Sequence, residues 1–149
     1  MTSFLIDINV WLAMTWALHP QHARASLWYA SLDEAALWFC RLTMLGLLRL
    51  LTNAQVMGDS TVTVGEALKL YEQWRQDPRV ELRAEPRGVE KTFREALQTV
   101  AGQPATKAVA DCYLVGFAEA SGAHLVTFDR GLAGTAQVRN VPVTLLQPV

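Results

Sequence analysis

Three aspartates carry the chemistry this sequence could perform. Asp7 closes the apolar run in SFLIDINVWL, Asp129 closes the run in LVTFDRG, and Asp111 is embedded in the otherwise apolar stretch ATKAVADCYLVGFAEA. An unpaired charge is costly to bury, so a carboxylate among apolar neighbours needs something to compensate it. Lys107 stands four residues before Asp111, but a helical pair with lysine first is the less favourable order and contributes only about 0.2–0.5 kcal/mol. A bound cation compensates far better. Hard divalent ions prefer oxygen ligands, and Mg2+ keeps several waters while taking one or two carboxylates, so three acids suffice for one ion. Such an ion can lower the pKa of an attacking water and neutralise charge on phosphoryl oxygens, which is the chemistry of phosphodiester hydrolysis. Each acid also has a plainer reading: Asp7 and Asp129 as caps of helices or turns, Asp111 as a surface or ion-paired residue.

The elements that must position these acids alternate along the chain. Short apolar strands are expected over 4–7, 36–39, 80–82, 124–128 and 141–146. Helices are expected over 9–18, 20–32, 41–52, 63–76 and 89–99, with a last one ending at Ser121 and Gly122 and capped by Thr106. Residues 53–59 read as a connector. In the fourth helix, Val64, Ala67, Leu68, Tyr71 and Trp74 mark an apolar face at helical spacing. Strands that are apolar throughout, separated by helices, predict an α/β fold with a parallel sheet covered on both sides. In such sheets functional groups gather beyond the carboxyl ends of the strands, where the strand order reverses. If the first strand and the 124–128 strand are neighbours there, Asp7 and Asp129 share one crevice.

A chain of 149 residues, 51% hydrophobic, is long enough for one full core, so 1–149 is expected to form a single domain. Asp7, Arg41 and Arg49 interrupt the longest apolar stretches, which argues against a membrane span. There is no basic, cleavable leader at the start, and Cys40 and Cys112 lack paired spacing, so a cytoplasmic protein without disulfides is expected. With 13 Lys and Arg against 14 Asp and Glu, the chain lacks the basic field needed to hold nucleic acid by electrostatics alone. Binding of that kind must be local or metal-assisted.

Three segments, FLIDINVWLA, CRLTMLGLLRLLTN and ADCYLVGFAEASGAHLVTFDRG, resemble the PIN-domain ribonucleases, specifically the VapC toxins of bacterial toxin–antitoxin pairs. The resemblance implies a PIN-like three-layer fold, with a parallel sheet of roughly five strands flanked by helices. It also implies a Mg2+-dependent (or Mn2+-dependent) endoribonuclease, a cognate antitoxin and a homodimer. By the same resemblance Asp7, Asp111 and Asp129 are the metal-binding and catalytic acids. Asn9 and Thr127 are expected to orient waters or acids nearby, and Arg49 and Arg130 to hold RNA phosphates, although helix capping and solvated arginines are equal readings.

One position departs from the family. Many members carry a glutamate on the third helix, where this chain has Gly46. Thr43, Gly46, Arg49 and Asn53 share one helical stripe, and an interior glycine asks for close packing or for room for a ligand. The missing acid keeps a second class open: a catalytically weak or inactive PIN-fold module that binds RNA or regulates. His19, His22 and His124 read as structural more than functional. The first helix, apolar all round with Trp11 and Trp16, reads as deep core or as a subunit surface.

Overall fold

In the computed structural model, which describes residues 1–147, strands and helices alternate. The first half holds β1 (Thr2–Ile6), α1 (Ile8–Thr15), α2 (His22–Ala30), β2 (Ala35–Phe39), α3 (Arg41–Leu51), α4 (Ala54–Met57) and a 3-10 turn over Gly58–Ser60. Then come α5 (Val64–Arg75), β3 (Val80–Leu82), α6 (Val89–Gln98), α7 (Thr106–Ser121), β4 (His124–Thr127), α8 (Arg130–Val138) and β5 (Val143–Leu145). The strands form one five-stranded sheet in the order β3-β2-β1-β4-β5, parallel throughout.

Neighbouring strand residues face opposite ways, so a strand buried on both faces must be apolar at consecutive positions. Ile6, Leu37 and Val126 enter one core with Trp11, Leu47 and Tyr71, beneath α1, α2, α3 and α5. Their neighbours Leu5, Trp38 and Leu125 enter the other, with Phe117, Ala96 and Leu132 from α7, α6 and α8. This is a three-layer α/β architecture. The largely apolar α1 is a core helix: Val10, Trp11, Leu12, Ala13 and Met14 are all buried, and Trp11 stacks on Phe39 with ring centroids 3.8 Å apart. On the far face, Gly116 lets α6 approach closely, since a Cβ there would lie 2.6 Å from the Phe93 backbone nitrogen. The Thr92 hydroxyl donates to the Gly116 carbonyl at that crossing.

Several expectations are corrected. The α8 helix is absent from the sequence expectations, since the two glycines of RGLAGTAQV oppose its helix formers; it forms by burying Leu132, Ala133 and Ala136 and by capping on Asp129. The 53–59 connector contains α4, capped by Asn53, whose side-chain oxygen accepts from the Gln55 amide. The first helix ends at Thr15, not at 18, because Trp16 turns extended. The second begins at His22, not at Pro20, and its His22 ring bonds the Ala13 carbonyl at 2.6 Å, tying it to α1. Thr106 opens α7 but does not cap it; the N-cap is Ala105, without a side-chain bond.

Candidate active site

The sheet places β1 beside β4 at the point where the strand order reverses, so the segments after both parallel strands leave the same edge. Asp7 follows β1 and caps α1: its Oδ1 accepts from the Ile8 amide at 2.7 Å. Asp129 follows β4 and caps α8: its Oδ1 accepts from the amides of Gly131 at 2.7 Å and Leu132 at 3.3 Å. Both acids are therefore helix caps, as the plainer reading had it. Both also line a cavity of about 370 Å³, together with Asp111, Ile8, Asn9, Gly46, Arg49, Asn53 and Lys107. Capping and lining one crevice are compatible because a carboxylate has two oxygens.

Thr127 couples the two caps. Its hydroxyl donates to Asp7 Oδ2 at 2.7 Å and accepts from the Asp129 amide at 2.9 Å. The residue is fully buried, so it positions the acids and does not meet a substrate, contrary to a substrate-binding role. Arg130 is exposed on the first turn of α8 and does not line the cavity. Asn9 and Arg49 are exposed and do line it. The expected stripe on α3 holds for Gly46, Arg49 and Asn53 but not for Thr43, which is buried and bonds the Cys40 amide at 2.9 Å at the start of its own helix. His19 accepts from the Gln21 amide and His124 bonds Thr144 at 2.8 Å, so both are engaged in local structure.

The three acids differ electrostatically. Burial pushes the Asp7 carboxyl above its ordinary range, against the hydrogen bonds from Thr127 and Ile8, and the Asp129 charge adds to the rise. Asp111 is pushed up to about 6, first by burial and then by the charges of Asp129 and Asp7. No protein donor among the described residues bonds its carboxylate. Asp129 is the opposite case: burial would raise it, but Lys107 and the Leu132 and Gly131 amides outweigh that and hold it low. Lys107 is thus a member of the site, and not through the weak helical pair with Asp111 that its spacing allows. Its ammonium bonds Asp129 Oδ2, not Asp111 on its own helix.

Gly46 lines the cavity and also packs closely against Ile8. A Cβ there would lie 2.4 Å from Ile8 Cδ1, so the isoleucine that follows Asp7 fills the place beside the glycine. As a donor set, three carboxylates in one crevice, two of them with disfavoured charge, suit a hard divalent cation. Among the described residues no three His, Cys, Asp or Glu side chains are gathered as a closed metal cluster, and one Asp129 oxygen is taken by Lys107. The chemistry of the site fits an ion, and seating one on all three acids requires Lys107 to move.

This geometry agrees with what the chain is similar to. The PIN domain family profile matches residues 4–138. Ribonuclease VapC41 of Mycobacterium tuberculosis is 38% identical over 130 residues, spanning 84% of this chain and 88% of the relative. Ribonuclease VapC38 of the same species is 30% identical over 147 residues, spanning 95% and 96%. Among solved structures, VapBC-1 from nontypeable Haemophilus influenzae superposes with a TM-score of 0.68 at 12% identity, over 97% of this chain and 98% of that one. VapC20 of M. tuberculosis, described as a Sarcin-Ricin loop cleaving toxin, superposes with a TM-score of 0.64 at 15% identity, over 88% and 93%. At such identities the superpositions speak for the fold. The family match over most of the chain, together with the VapC relatives, establishes that this protein belongs to the PIN-domain family.

Proposed function

We propose that the chain, acting as one PIN unit over 1–149, is a Mg2+-dependent endoribonuclease of the VapC toxin type, neutralised by a cognate antitoxin. The observation that carries this reading is the convergence of Asp7, Asp111 and Asp129 from three elements into one cavity. Asp7 and Asp111 would hold the ion, with Asp129 binding directly or through water; Mn2+ could take the same place. Bound there, the ion would supply an activated water and charge neutralisation at phosphorus. Thr127 fixes the Asp7 carboxylate by its hydrogen bond. Asn9 and Arg49, exposed on the cavity rim, would meet the RNA backbone, and Arg130 would do so only outside the cavity. A cytoplasmic location and a homodimer belong to the same reading. Among the described residues no helix is long and apolar enough to cross a membrane.

The test is cleavage of a total-RNA pool with Mg2+ and with EDTA, comparing wild type with Asp7→Asn. The reading predicts cleavage that needs the ion and falls at least about 100-fold in the variant. Cleavage indifferent to EDTA, or undiminished in the variant, rejects it. A second reading, an RNA-binding module with weak or absent catalysis, is favoured by one observation: Ile8 packs where a fourth acid from position 46 would enter. RNA binding without metal-dependent cleavage is its signature.

A further inference from the structure

Lys107 is the one member of the cavity lining whose bond conflicts with the proposed chemistry. It lies one helical turn before Asp111, with its side chain 72% exposed, and its ammonium is bonded to Asp129 Oδ2. The other Asp129 oxygen is committed to two backbone amides of α8. Both oxygens of Asp129 thus accept hydrogen bonds, as those of Asp7 do, but only on Asp129 is one of the donors a cation. The same ammonium acts electrostatically on Asp111 and Asp7 as well as on Asp129. A flexible stem with most of its surface in water can leave without disturbing the core.

We propose that Lys107 is a resident counter-cation that competes with the divalent ion for Asp129. Without metal, the ammonium holds the third carboxylate and keeps the acids from closing on a common centre. An ion entering between Asp7 and Asp111 gains Asp129 only as the ammonium withdraws. The i, i+4 spacing from Asp111 makes this exchange possible, since a side chain rooted one turn away reaches across the crevice to the β4 end. The inference rests on the metal-dependent reading of the cavity. The ammonium side chain is 72% exposed, though its carboxylate partner is only 15% exposed, and water around the lysine keeps the pair weak, so the competition should cost the ion about two- to five-fold in affinity.

The experiment is calorimetric titration of Mn2+ into EDTA-stripped wild type, Lys107→Met, Asp129→Asn and the double variant, with circular dichroism to verify folding. Lys107→Met should tighten Mn2+ by about two- to five-fold, and Lys107→Arg, which keeps the charge, should not. In the Asp129→Asn background the gain from Lys107→Met should shrink, because the contested oxygen is gone and only the field of the ammonium at Asp111 and Asp7 is left. Unchanged or weaker binding in Lys107→Met overturns the proposal. So does an equal gain in both backgrounds, which would make Lys107 a general contributor to the local field. If wild type binds Mn2+ and these patterns fail, only this inference falls; if no protein in the set binds Mn2+, the metal-dependent reading falls with it.

Discussion

Replacing Asp111 by asparagine should stabilise the metal-free protein at neutral pH. Asp111 is half-buried, receives no hydrogen bond from the described residues, and faces the charges of Asp129 and Asp7, which together lift its carboxyl from 3.8 to about 6. A raised acid means that the folded state holds more protons than the unfolded chain between those values, so stability falls as pH rises through that window and the penalty is complete above it. At 1.36 kcal/mol per tenfold, the ceiling is about 3 kcal/mol. Solvent reaching a half-buried group reduces this to about 1–1.5 kcal/mol. For a chain of this size that is a rise in melting temperature of about 2–6 °C. Thermal melts in EDTA should show the gain at pH 7.5 and little difference between the proteins at pH 4. Added Mg2+ should stabilise wild type by mass action and the variant much less. A variant less stable than wild type at pH 7.5 without metal would refute the reasoning, because it would mean that the Asp111 charge is satisfied in the fold.

Gly46→Glu alone should gain little metal affinity and should lower the melting temperature, because its Cβ meets Ile8 Cδ1 at 2.4 Å; pairing it with Ile8→Ala should recover stability and tighten Mg2+, and calorimetry on the single and double variants decides this. Thr127→Val keeps the shape but leaves Asp7 Oδ2 and the Asp129 amide without their partner, so a loss of about 1–3 kcal/mol is expected, with a fall in RNA cleavage. Thr127→Ser should restore both, and a Val variant with wild-type melting and cleavage would show that the bridge is idle.

Much of the fold was legible because its causes are local or periodic. Strand residues Leu5 and Ile6, Leu37 and Trp38, and Leu125 and Val126 are apolar at successive positions because both faces of the sheet are covered, and that pattern is visible without coordinates. The pairing of β1 with β4 entered only as a condition, which the strand order meets; given that pairing, the rule about open sheets brings Asp7 and Asp129 to one crevice. The α8 helix was not legible, because its stability comes from packing Leu132 and Ala136 and not from its glycine-containing sequence. Its one local sign was Asp129 itself, a residue type favoured at helix N-caps.

At the site, residue types were more legible than partners. Lys107 and Asp111 are four apart, which suggested an intrahelical pair, yet the ammonium crosses to Asp129 because the crevice brings β4 within reach. Thr127 reads in sequence as a residue that orients waters or acids, but its partners are not encoded there: it is buried in a strand covered on both faces, and its hydroxyl links two carboxyl-end residues. Gly46 left two explanations open, close packing or space, and it meets both, against Ile8 and along the cavity. These are long-range contacts that spacing in sequence does not encode.

Whether Asp7 and Asp111 hold one divalent ion in this cavity can be seen by anomalous diffraction from crystals soaked in Mn2+. The expected result is a single strong peak within bonding distance of both carboxylates, with the Lys107 ammonium withdrawn from Asp129. No peak in the cavity, or a peak elsewhere while the Lys107–Asp129 pair stays intact, would contradict it.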